Sequence, residues 1–127
     1  MNTNTKLTAG DLFCGAGGTT TGFDNSGLID VKFCVNHDPL AIRSHAKNHP
    51  GCLHHTEDIT AFNEKQLPKV DVLWASLECT HFSRAKGGES RDPDSRSLAE
   101  HMYRYIQQCE PDFFIVENVI EFLSWSR

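Results

Sequence analysis

Asp11-Leu12-Phe13-Cys14-Gly15-Ala16-Gly17-Gly18 reads as the end of a strand, an abrupt glycine turn and the opening of a helix. Leu7 to Phe13 is the first strand, and a helix follows from Gly18 and ends at Ser26-Gly27. A turn of this kind lets backbone approach a ligand closely, because glycine carries no Cβ and a helix N-terminus presents free N–H groups. The spacing is GxGG rather than the dinucleotide GxGxxG, so a pyrophosphate is not the predicted ligand. Taken alone, the glycines fit a tight turn without any ligand equally well.

Downstream, short β-like runs alternate with helix-like ones, which predicts βαβ units and a parallel sheet. Val31 to Val35 is the second strand, and Asp38-Pro39 opens the next helix with an N-cap and a first-turn proline. Cys52 to His55 is a weak third strand and Val70 to Ala75 a fourth. A polar loop is expected from Leu77 to Arg96, followed by a capping box at Ser97-Leu98-Ala99-Glu100. Leu98, Met102, Tyr105, Ile106 and Cys109 then mark one helical face. Phe113 to Val116 is a fifth strand, apolar enough to be buried on both faces. The fold class is therefore α/β, a three-layer sandwich around a mainly parallel, doubly wound sheet of order 3-2-1-4-5.

The chain has 127 residues and a net charge of −5. That length supports one domain with a real core. A domain that grips DNA unaided is usually basic, so any nucleic-acid grip is expected to come largely from elsewhere. No apolar run approaches the roughly 20 residues of a membrane span. The polar start, Met1 to Lys6, lacks a signal-peptide core, and a cytoplasmic location without membrane contact is expected. The five cysteines form no CxxC pair and read as free thiols, mostly small core residues. His49, Cys52, His54 and His55 are close in sequence but supply no second ligand pair, so no metal is expected.

Strand ends carry the chemistry. Asn36-His37-Asp38 follows the second strand, where a polar residue meets ribose hydroxyls in such folds. Asp38 fits a helix cap at least as well. Asp58-Ile59 follows the third strand, where Asp58 is either an acceptor for an adenine amino group or a solvated turn acid. Cys79 lies just past the fourth strand and Glu117 at the end of the fifth. With these strands as neighbours, a thiol, a carboxylate and the glycine turn border one crevice. A thiolate attacks carbon, and a nearby acid hydrogen-bonds a substrate ring.

The ordered set Asp11 to Gly18, Glu57-Asp58-Ile59, Glu78-Cys79, Asp94-Ser95-Arg96 and Glu117-Asn118-Val119 resembles the cytosine-C5 DNA methyltransferases. The resemblance covers essentially the whole chain but only the N-terminal part of that family's catalytic domain. It implies a class I, Rossmann-like domain over residues 1–127 that binds S-adenosylmethionine, releases S-adenosylhomocysteine and acts on a cytosine flipped out of DNA. It further implies Cys79 as nucleophile, Glu117 against the cytosine ring, and Asn118 fixing the cysteine loop. Asp11, Phe13, Gly15, Gly17, Gly18, Asn36, His37, Asp58 and Ile59 would line the cofactor. Ser83, Arg84 and Arg96 would contact DNA. The family's target-recognition domain is absent, which implies a complementing C-terminal polypeptide or segment.

Two positions depart from the pattern. Glu78 stands where the family usually has proline, and a carboxylate beside a thiol opposes thiolate formation. Asn36 replaces a ribose-binding glutamate. The alternatives are a catalytically silent S-adenosylmethionine-binding module, for which Glu78 speaks, and RNA methylation by the same chemistry.

Overall fold

A computed structural model describes residues 5–77 and 93–117, with side chains in the second stretch from residue 100 onward. Five strands form one sheet in the order β3-β2-β1-β4-β5, and every pairing is parallel. The strands are β1 (Leu7–Leu12), β2 (Ile29–Asn36), β3 (Leu53–Thr56), β4 (Val72–Ser76) and β5 (Phe113–Glu117). The helices are α1 (Gly18–Ser26), α2 (Pro39–Asn48) and α3 (Pro93–Cys109), with a single 3₁₀ turn at Glu64–Gln66 that the sequence pattern did not announce. The predicted strand order is thus the observed one.

Each helix start has a local cause. Gly17 caps α1 in a left-handed conformation without a side-chain bond, and Gly27 ends it, also left-handed. Asp38 caps α2 by accepting from the Leu40 amide at 3.0 Å, and Pro39 fills the first turn. α3 begins at Pro93, not at the expected Ser97 box. Proline at the first helical position loses no hydrogen bond there, so it nucleates the helix four residues early.

Two apolar layers cover the sheet. Leu12, Phe33, Val35, Leu73 and Ala75 pack with Met102, Tyr105 and Cys109 of α3. Ala9, Val31, Cys34 and Val72 pack on the other face with Ile42 of α2, and Phe23 of α1 meets Trp74 edge-on. The register between β1 and β2 shifts between Ala9 and Gly10, which pair with Val31 and Phe33. Lys32 is the extra residue, exposed and paired with Asp30 at 2.7 Å. This bulge resets the alternation, so Val31 and Cys34, three apart, share a face. At the amino ends, Asp71 Oδ2 accepts from the Thr8 amide at 2.7 Å while the Asp71 carbonyl accepts from Asp112 and Phe113, which ties β1, β4 and β5 together.

β5 is not buried on both faces. Among the described residues it is the sheet edge, and Phe113 is 61% exposed. An apolar run alone does not specify what covers it.

Candidate cofactor cleft

The sheet reverses winding direction at β1: the chain passes to β2 and β3 on one side and returns to β4 and β5 on the other. Ligands bind at the carboxyl ends of strands at such a switch point. Here that position is occupied by the glycine turn. Phe13 (φ 57°), Gly15 (φ 55°) and Gly17 (φ 107°) are all left-handed. A left-handed phenylalanine costs on the order of 1–2 kcal/mol, and such strain concentrates at ligand clamps. The turn is held by Cys14 N donating to Val35 O and Gly17 N to Cys14 O, both at 3.1 Å.

Gly17 and Gly18 are glycine for different reasons. A Cβ on Gly17 would stand 3.0 Å from His45 Cδ2 and 3.1 Å from His49 Cδ2, so protein packing and backbone both exclude it. Gly18 has no left-handed φ, and a Cβ there would meet nothing within 4 Å. Among the described residues nothing demands a glycine at that position, and the missing Cβ leaves open space over the helix N-terminus. The α1 amides lack a side-chain cap, which leaves donors for an anionic group. These features fit the methionine carboxylate of S-adenosylmethionine.

Asp11 is fully buried, with Oδ2 accepting from Thr20 Oγ1 at 2.7 Å and Oδ1 lacking a partner among the described residues. Burial pushes its carboxyl up to about 6. It braces the first turn of α1 from beneath. Asn36 closes β2, its Oδ1 accepting from the Asp38 amide at 2.9 Å, and His37 beside it is exposed. Asp38 caps its helix, the plainer of its two readings. Asp58 is exposed just past β3, where Thr60 donates to Oδ1 from N at 2.9 Å and Oγ1 at 2.8 Å. Those bonds hold its carboxyl below the usual range, so it is anionic. The Ile59 side chain is buried in the core, and its carbonyl accepts from Tyr105 Oη at 2.6 Å.

Glu117 is exposed at the end of β5, opposite Ser76 of β4. Its carbonyl accepts from the Leu77 amide at 3.1 Å. Cys79, Asn118, Ser83 and Arg84 lie outside the described residues, as does the side chain of Arg96. Sequence reasoning missed Thr20 and His45, both buried beneath the turn. The i, i+4 step from His45 to His49 on α2 was the available signal for the latter.

A family model described as C-5 cytosine-specific DNA methylase matches residues 7–126. Type II methyltransferase M.AgeI of Thalassovita gelatinovora is 31% identical over 125 residues, an alignment spanning 91% of this chain and 28% of that protein. A candidate DNA modification methyltransferase encoded within an Escherichia coli prophage superposes with a TM-score of 0.70 at 34% identity, over 90% of this chain and 32% of its own. Dnmt2 of S. pombe shares the fold, with a TM-score of 0.67 at 18% identity over 92% of this chain and 35% of its own. The architecture is therefore that of class I S-adenosylmethionine-dependent methyltransferases. The chain spans about 28% of the length of the curated relative. No described helix is long and apolar enough to cross a membrane.

Proposed function

The chain belongs to the C-5 cytosine-specific DNA methylase family, and on that premise we propose that it carries the cofactor-binding and catalytic part of an enzyme that methylates C5 of cytosine in DNA. The activity is cytoplasmic, and base recognition is contributed by polypeptide outside residues 1–127. The observation that supports this most directly is the hydrogen bond from Leu77 N to Glu117 O, at 3.1 Å. It puts Glu117 beside the point where β4 hands the chain to residue 78. Covalent geometry limits the Cα of Cys79 to about 7.6 Å from that of Leu77. In this reading the Cys79 thiol works beside the Glu117 carboxyl, at the neighbouring ends of β4 and β5.

In this reading the bound S-adenosylmethionine supplies an electrophilic methyl group. Gly15 and Gly18 leave room for it, the amides of α1 hold its carboxylate, and Asn36, His37, Asp58 and the backbone of Ile59 flank its nucleoside. The Cys79 thiolate forms a bond to C6 of the flipped cytosine, and the electron pair displaced from the C5–C6 bond makes C5 nucleophilic. The Glu117 carboxyl shares a proton with N3, which draws electrons from C6, and accepts from the exocyclic amine. Asn118 fixes the cysteine loop. After transfer, the C5 proton leaves to a base and the S–C6 bond breaks, restoring the thiolate. Ser83, Arg84 and Arg96 contact the DNA backbone.

The test is covalent trapping. A duplex bearing 5-fluorocytosine cannot lose a proton at C5, so with S-adenosylmethionine and the complementing C-terminal polypeptide it should remain bonded to Cys79. Cys79→Ser should form no adduct. Cofactor binding with no adduct at Cys79 in DNA would overturn the mechanism and favour a silent module, and an adduct confined to a fluorinated RNA would reassign the substrate.

A further inference from the structure

We propose that Cys34, His45, Cys52 and His54 form a tetrahedral site for a thiophilic divalent cation of the zinc class, on the sheet face opposite α3. One ligand atom from each of the four residues lies within 4.8 Å of the other three. Cys34 comes from β2, His45 from α2, His54 from β3, and Cys52 from the residue just before β3. The set is two thiols and two imidazoles, a donor combination suited to a closed structural zinc site. It differs from the cluster visible in sequence. His49 is engaged by Asp24 and Thr21, each at 2.9 Å, and the His55 ring packs at a tilt against Phe62.

Two of the ligand separations can be set against those a cation needs. Bonds of about 2.05 Å to nitrogen and 2.3 Å to sulfur set tetrahedral edges of about 3.5 Å for S···N and about 3.3 Å for N···N. Cys34 Sγ lies 3.5 Å from His45 Nδ1. His45 Nδ1 lies 2.8 Å from His54 Nε2, so that edge must open by about half an ångström on binding. Cys34, His45 and Cys52 are buried and His54 is half-buried, which leaves one side for entry.

The surroundings are already arranged for ligation. Thr20 Oγ1 gives its proton to Asp11 Oδ2 at 2.7 Å, so toward His45 Nε2, 3.0 Å away, it can only accept. The ring proton of His45 is therefore on Nε2, and the Nδ1 lone pair faces the cluster. A carboxylate acting on a ligating histidine from outside, here through a hydroxyl, is the usual outer support of a metal site. Cys14 is buried in the same cluster as Cys34 and Cys52. Binding one divalent cation releases two thiol protons to solvent and leaves the four-ligand unit neutral. The cation would fasten the four-residue edge strand β3 and helix α2 to β2, and His45 would in turn buttress Gly17.

The untagged full chain, reduced and dialysed against zinc, should retain one zinc per chain by elemental analysis. Cobalt substitution should give tetrahedral d–d bands and a thiolate-to-cobalt charge-transfer band. Cys52→Ser should lose about half of that charge-transfer intensity. Cys109→Ser, a buried thiol on the α3 face, should keep it all. If Cys52→Ser does not fold, His54→Gln at the half-exposed position serves, with loss or shift of the d–d bands expected. A folded, fully reduced chain that takes up neither metal overturns the proposal, as does an unchanged cobalt spectrum in the ligand variant. A Cys34–Cys52 disulfide that persists under reductant and excludes metal overturns it too.

Discussion

Gly17 and Gly18 sit side by side at the mouth of the cleft, and replacing each with alanine should separate folding from binding. At Gly17 the backbone has φ 107° and the new methyl would stand 3.0–3.2 Å from the rings of His45 and His49. His45 cannot retreat easily, being fully buried and hydrogen-bonded to Thr20 and His54. A non-glycine residue in that conformation costs about 1–3 kcal/mol, and overpacking adds about 1–3 kcal/mol. Partial relaxation brings the sum to about 2–4 kcal/mol, a large share of a typical stability of about 5–15 kcal/mol. At Gly18 the methyl meets nothing within 4 Å among the described residues. There the first-turn alanine should change stability by less than about 1 kcal/mol, in the favourable direction if at all. It does occupy the space over the α1 amides, and intrusion worth about 1.4–2.8 kcal/mol weakens S-adenosylmethionine binding by about 10- to 100-fold. Urea unfolding followed by tryptophan fluorescence reads the first quantity and titration calorimetry the second. If Gly18→Ala binds the cofactor as tightly as the native chain, the cleft is not where the turn places it. Equal destabilisation by both variants would refute the packing argument.

Other variants probe how the cleft is supported. Burial raises the Asp11 carboxyl from 3.8 to about 6. A folded-state value above the unfolded one means stabilisation fully present below about pH 4 and lost as pH rises through 6, about 3 kcal/mol in all by pH 7. Asp11→Asn should flatten that part of the stability–pH curve, and parallel urea curves for the two chains would contradict it. Tyr105 is fully buried and donates to the Ile59 carbonyl at 2.6 Å. Tyr105→Phe strands that carbonyl and should cost about 1–2 kcal/mol, seen as a lower thermal midpoint. Arg104 joins α3 to the Asp58 turn through Glu64 at 2.6 Å and the Thr60 carbonyl at 3.3 Å. The pair is partly exposed, so Arg104→Ala should cost only about 1 kcal/mol while speeding amide exchange at Thr60 and Ala61. Unchanged exchange there would show that Arg104 does not hold the turn.

Where a structural signal is local, the sequence carries it. The strand–glycine–helix stretch at Asp11 to Gly18, the Asp38-Pro39 start of α2 and the apolar run of β4 each depend on a few consecutive residues. Alternation of such units, with right-handed crossovers, gives a parallel α/β sheet, and the observed order is the one expected of a doubly wound sheet with its switch point at β1. The helix start moved because two legitimate signals competed: Ser97-Leu98-Ala99-Glu100 has the form of a capping box, but Pro93 supplies the first turn and the chain is already helical by residue 97. Asp58 carried two readings, and the structure gives it an Asx turn with Thr60 while leaving the residue exposed just past β3.

What could not be read is whatever depends on contacts between distant elements. Phe113-Phe114-Ile115-Val116 looks buried because it is apolar, yet burial requires a layer on each face and a strand on each side, and no residue inside the run encodes those. The Cys34 cluster is the sharper case. Period-2 alternation from Val31 sends Cys34 to the α3 face, away from His45. The bulge at Lys32 reverses that parity, and the register shift opposite Ala9 and Gly10 is its only record. Gly10 has a packing reason at the same place, because a Cβ there would overlap the Phe33 ring, with Cζ 2.1 Å away. The glycine lets Phe33 lie across β1, and Phe33 takes the α3 face while Cys34 is delivered to the other. One inserted residue and one absent Cβ therefore decide that two thiols and two imidazoles converge beneath the cofactor turn.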